Sequence, residues 1–249
     1  RYINVGITLH FTILKEVIMK KLLFWIVLIV GTGALLGSCA KKDKATAAAG
    51  NVAGTGTTAS GTITGTSVTG TFHSSWGGAT PAGGCISNSS AISQFGNPSD
   101  TKSFKDVFIV TGTSTYTTSQ ISYSDATCST MTSYISTMYE SFTTYGSEVT
   151  GLTAGSNPTL PTKASKISSV EDQSVFMANT TVSVAYFLSE FEQTVVSGTE
   201  KVVNESSPVT KYGLGTTSTV SGNLWLYINS KISTADNVTD WSGGGVYWQ

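Results

Sequence analysis

The chain of 249 residues sets 14 lysines and arginines against 15 aspartates and glutamates, a net charge of −1, with only 12% of its residues charged, about half the usual share. Arg1 is its one arginine. The guanidinium forks and basic face that sequence-specific nucleic-acid binding leans on are therefore missing, which excludes nucleic acid as a partner.

Taken in order, Arg1–Ile18 lies ahead of the first methionine, Met19, and reads as a segment upstream of the true start. Residues 19–38 have the three parts of a signal peptide: Lys20 and Lys21, an apolar run Leu22–Leu36, and the small Gly37 and Ser38 before Cys39. The run is 15 residues long, short of the roughly 20 that a spanning helix needs. Leu36-Gly37-Ser38-Cys39 resembles the lipobox of bacterial lipoproteins. That resemblance implies lipid attachment at Cys39, whose sulfur takes a diacylglycerol before cleavage leaves the residue N-terminal. Two or three acyl chains, palmitate among them, then hold the chain to a membrane. Ala40, where an aspartate would retain familiar lipoproteins at the inner membrane, implies the outer membrane of a Gram-negative-type envelope.

The processed chain would have 211 residues, with ten lysines against fourteen carboxylates, enough for one domain with its own core. Of three cysteines, lipidation takes Cys39 and leaves Cys85 and Cys128. An oxidising compartment makes that pair a disulfide. Closing the 44-residue loop between them stabilises the fold by roughly 4 kcal/mol on the chain-entropy account.

Residues 39–66 form the lipidated N-terminus and a tether of Ala, Gly, Thr, Ser and Asn, with too little apolar surface to offset the entropy of ordering it. Residues 67–249 read as the β-domain. Val68–Trp76 is a first strand, with Phe72 and Trp76 on one face, and Gly77–Thr101 a long loop carrying Cys85. Ser103–Val110 puts Phe104 and Phe108 on one face and Val107 and Ile109 on the other, the pattern of a strand covered on both sides. Ser114–Tyr123 alternates and ends in a turn at Ser124-Asp125-Ala126, where Asp125 bonds its own backbone. Met131–Tyr145 fits a strand better than a helix on its serines and threonines. Lys163–Val170 is a further strand, and Thr180–Phe191 fits helix or strand equally. Thr194–Val203 reads as a hairpin about Ser197-Gly198-Thr199-Glu200; Leu224–Ile228 follows a turn at Gly222-Asn223, and the chain closes on Val246–Gln249.

Short strands at close spacing imply a mainly β fold, an antiparallel barrel or sandwich with room for one short helix. Trp76, Cys85 and Tyr123-Ser124-Asp125-Ala126-Thr127-Cys128 resemble the lipocalin-like β-barrel domains of secreted proteins, in which an early Trp…Cys segment is stapled to Y-x-D-x-x-C. The resemblance spans Phe72–Cys128 and implies a fold and a disulfide. Ser74-Ser75-Trp76 stands where lipocalins have G-x-W, so no binding residue carries over.

Little here points to catalysis. His73 is the one histidine beyond the signal segment, and no G-x-S-x-G accompanies it. One histidine and a bonded cysteine pair supply too few ligands for zinc, and Asp236 with Asp240 reads as a solvated turn, so no metal and no cofactor is expected. Glu140, Glu190 and Glu192 are the carboxylates that a glycosidase-type envelope hydrolase would use. Phe104, Phe108, Tyr116, Tyr134, Trp225 and Tyr227 either line a barrel cavity or fill its core. The expected function is a non-enzymatic binding or surface-interaction module on a lipid anchor, for a small apolar ligand or a cell-surface partner.

Overall fold

A computed structural model describes residues 60–63, 65–75, 81–152, 161–231, 233–241 and 245–249. Cys39, the apolar run before it, most of the tether and Trp76 lie outside these residues. Twelve elements follow in chain order: β1 (Ser60–Ile63), β2 (Thr66–Thr69), β3 (Thr71–Ser74), α1 (Ser89–Gln94), β4 (Ser103–Val110), β5 (Tyr116–Tyr123), β6 (Met131–Thr150), β7 (Lys163–Ala178), α2 (Thr181–Phe191), β8 (Lys201–Val220), β9 (Asn223–Lys231) and β10 (Gly245–Trp248).

Strands β3 to β10 pair in sequence order, each antiparallel to the next, and β10 closes on β3 to make an eight-stranded barrel. A meander of this kind has no free edge left to pair with another chain. The β4–β5 pair is regular from Ser103↔Tyr123 to Val110↔Tyr116. At the closing seam β10 meets β3 at Tyr247↔Ser74 and Trp248↔His73, and Ser75 N donates to the Val246 carbonyl at 3.0 Å.

Closure decides which side of each strand is inside. Phe72, Phe108, Tyr116, Phe142, Ile167, Leu226 and Tyr247 come from β3, β4, β5, β6, β7, β9 and β10 and pack into one cluster. Side chains of seven strands can meet only in the lumen. The outward faces carry apolar residues too. Val107, Ile109, Ile121, Tyr134 and Val175 form a second cluster, and Leu214, Trp225 and Tyr227 a third, with Val238 and Trp241 packed against them. The segment bearing Val238 and Trp241 is fastened to the outer wall. Asn229 donates its Nδ2 to the Asp240 carbonyl at 2.9 Å, and Trp241 Nε1 to that of Pro161 at 2.8 Å.

Both ends of the lumen are plugged. At one end the β1–β2 hairpin inserts Ile63 and Val68 into the lumen cluster, and Thr217 Oγ1 donates to Thr66 Oγ1 at 2.8 Å. At the other, α1 and the turn after it pack under β4 and β5. Ala91, Ile92 and Phe95 meet Phe104, while Asn97 Oδ1 accepts from Gln120 and Ser122, both at 2.9 Å. Helix α2 closes the same end, burying Phe187 against Phe176, and its Tyr186 hydroxyl donates to the Gly96 carbonyl. Among the described residues no helix is long and apolar enough to cross a membrane.

Several expectations need correction. The even choice at Thr180–Phe191 falls to helix: Thr180 Oγ1 accepts from Ser183 N at 3.1 Å and caps the first turn. Gly77–Thr101, expected to be all loop, contains α1, whose cap is Asn88 Oδ1 accepting from Ser90 N and Ala91 N. Thr194–Val203 is not a hairpin, because residues 192–200 are irregular and β8 starts at Lys201. β1 falls inside the stretch read as tether, so among the described residues strand is already present at Ser60–Ile63, ahead of Ser67. Val68–Trp76 is split by Gly70, whose φ of 78° breaks the run into β2 and β3. β7 runs on past Val170 to Ala178.

Candidate functional site: a polar cavity in the barrel lumen

Within the lumen lies a cavity of about 210 Å³. Its chemistry begins with β4. Phe104, Asp106 and Phe108 share one face of that strand by period 2, so the register that sends the two phenylalanines inward sends a carboxylate with them. Asp106 and Thr118 line the cavity with the rings of Phe108, Tyr116, Tyr139 and Tyr247. Ile228 of β9 and Gly245 of β10 complete the wall.

Three of the rings form a continuous stack. Phe108 lies 4.5 Å from Tyr116, and Tyr116 lies 4.6 Å from Tyr139, with interplanar angles of 21° and 12°. Tyr247 leans on Phe108 from the opposite side at 5.7 Å. The Tyr116 hydroxyl reaches Ser169 of β7 at 3.0 Å, fixing the ring across the intervening strand. Gly245 is small because Tyr247 lies over it: a Cβ there would stand 2.5 Å from the tyrosine ring.

Electrostatics single out Asp106. Burial pushes its pKa up to about 7, while hydroxyl donation from Ser74 and Tyr247 pulls the other way. Burial also raises Tyr247 well above the usual tyrosine range, with the Asp106 charge adding to it. Tyr139 is pushed up to about 12 by burial and then by the Glu171 charge. Two further charged groups face the lumen. Glu171 and Lys211 form an ion pair, and the Lys211 ammonium sits 5.9 Å from the centre of the Tyr139 ring. They neutralise each other, whereas the partners that hold the Asp106 charge are neutral hydroxyls.

The aromatic residues singled out in the sequence divide. Phe104, Phe108 and Tyr116 point inward and Phe108 and Tyr116 line the cavity, but Tyr134, Trp225 and Tyr227 lie on the outer walls. The Tyr134 hydroxyl donates to Glu200. Cys85 and Cys128 stand at disulfide distance, 5.8 Å between Cα atoms. Asp125 does organise its own turn, accepting from the backbone N–H groups of Thr127 at 2.8 Å and Thr130 at 2.6 Å. His73 faces outward beside Trp248, its ring 5.9 Å away, and burial together with the nearby Lys105 lowers its pKa.

The three candidate glutamates sit on separate elements. Glu140 is on β6, Glu190 on α2, and Glu192 follows α2 in a left-handed conformation, the last two exposed. Asp236 and Asp240 are exposed. Among the described residues no group of three or more metal-ligating side chains comes together. Asp106, Tyr139 and Tyr247 are the site residues that sequence reasoning missed. A signal existed for Asp106, since it lies between two phenylalanines on a face already read as buried.

The chain matches no family model and no curated protein.

Proposed function

We propose that this chain is a lipid-anchored envelope lipoprotein whose barrel binds a small molecule in its lumen and performs no catalysis. The anchor reading is supported by the sequence alone, through Lys20, Lys21, the short apolar run and Leu36-Gly37-Ser38-Cys39. The binding reading is supported by the cavity of about 210 Å³ in a lumen that a hairpin enters at one end and helices cover at the other. Lumen cavities in small barrels are where such folds hold single ligands. Its walls mix rings with hydroxyls and one carboxyl, which suits a ligand with a polar group better than a wholly apolar one.

Native mass spectrometry of the protein extracted from its own cells tests both halves. The expected result is an acylated N-terminus at residue 39 together with a small-molecule adduct released on unfolding. Labelled fatty acid should enter the wild-type chain and not Cys39→Ala. An unacylated chain beginning at Met19 overturns the anchor, and a protein that carries no adduct from any growth condition overturns the binding module.

A further inference from the structure

Among the described residues, the cavity and the aromatic stack beside it carry Asp106, Glu171 and Lys211. Glu171 and Lys211 are paired, which leaves Asp106 as the carboxyl that faces the cavity with hydroxyls for partners. A carboxylate held among rings gains most from an opposite charge placed against it. The aromatic wall beside it is also suited to a cation. Lys211 already places its ammonium against the outer ring of the Phe108–Tyr116–Tyr139 stack. An anionic ligand would meet the carboxyl, and a hydrocarbon would strip water from Asp106, Thr118 and the tyrosine hydroxyls without replacing its hydrogen bonds.

Size narrows the class further. An engineered cavity of about 150 Å³ takes a benzene-sized guest, so 210 Å³ admits one ring with a short side chain, or an aliphatic amine of similar bulk. We propose that the lumen binds a small organic ammonium ion, with the ammonium on Asp106 and the remainder against Phe108, Tyr116 and Tyr247. This deepens, and rests on, the reading of the lumen as a ligand site.

The test uses three probes of nearly one size at pH 8: phenethylamine, 2-phenylethanol and phenylacetate, titrated calorimetrically into the full chain. The amine should bind at least tenfold tighter than the alcohol, the acid should not bind, and Asp106→Asn should abolish the preference while leaving alcohol binding in place. The ratio of amine to alcohol in the wild-type protein carries the test by itself should the variant not fold. Alcohol binding equal to amine binding overturns the ammonium assignment and leaves the lumen a ligand site. Failure of all three probes, with the cavity holding water only, also overturns it; the adduct found or not found in cell-extracted protein then decides the broader reading separately.

Discussion

At the scale of single residues, Asp106 makes stability depend on pH. Its carboxyl titrates near pH 3.8 when unperturbed and near 7 in the fold. Between those values the folded chain holds a proton that the unfolded chain has released. Stability conferred by the protonated acid is therefore complete at low pH, falls as pH rises through that window, and is lost above about 7. Across the whole window the difference is on the order of 4 kcal/mol. Asparagine can accept from Ser74 and Tyr247 without carrying charge. Denaturant melts at pH 5 and pH 8 should thus show the wild type losing stability across the interval and Asp106→Asn losing much less, and parallel curves would refute the assignment. Gly245 makes a second prediction. A methyl at that position enters the space of the Tyr247 ring, and overpacking of this kind costs about 1–3 kcal/mol. Gly245→Ala should lower the melting temperature and disturb Tyr247 absorbance, whereas a silent substitution would show that the ring has room to move.

Among elements, the helices at the barrel end depend on a few polar contacts. Thr180 both caps α2 and donates to Asp100 Oδ2 at 2.7 Å, tying that helix to the turn after α1. Thr180→Val removes both interactions and should cost about 1–2 kcal/mol. Thr180→Ser should recover most of it, and equal losses in the two variants would mean that the methyl, not the hydroxyl, matters. This cap also explains why the helix was hard to read. Thr180–Phe191 contains Val182, Val184 and Tyr186 at strand spacing as well as Ser183 and Phe187 at helical spacing. The helix wins because Phe187 lands on Phe176 of β7 at 5.4 Å, a contact between segments that local sequence does not announce. The long strand β8 was missed for a related reason. Pro208, Gly213 and Gly215 argue against a strand locally. In the barrel, Gly213 and Gly215 lie opposite Ile167 and Ser165, on the side where Ile167 enters the lumen cluster. By contrast, β4 came through at its true bounds, because apolar residues on both faces leave little alternative. The β8–β9 turn was legible to within one residue: expected at Gly222-Asn223, it falls on Ser221-Gly222, and Asn223 already begins β9. Ser221 and Gly222 both adopt positive φ, 52° and 86°, as a two-residue turn between twisted strands requires.

For the whole molecule, the question is what keeps a barrel with a polar lumen folded. The aromatic and aliphatic cluster joins seven strands, and the Cys85–Cys128 pair ties the segment before α1 to the β5–β6 turn, 43 residues apart in sequence. On the chain-entropy account that link contributes roughly 4 kcal/mol. Both thiols should resist alkylation until a reductant is added, and reduction should lower the unfolding midpoint without removing the β-sheet signal. Ready labelling of both cysteines in the untreated protein would contradict the bond.

The chain by itself determined its strand-rich class and the cysteine pairing, because those follow from composition, alternation and short motifs that do not need a partner segment to be read. Only the tertiary structure decided the site. Alternation says that Phe104, Asp106 and Phe108 share a face, and that Trp225 and Tyr227 share another, but not which of those faces looks inward. That choice is made when β10 pairs with β3 and the sheet becomes a barrel. Closure turns one set of alternate residues into a lumen, and so places a carboxyl among aromatic rings from strands far apart in sequence.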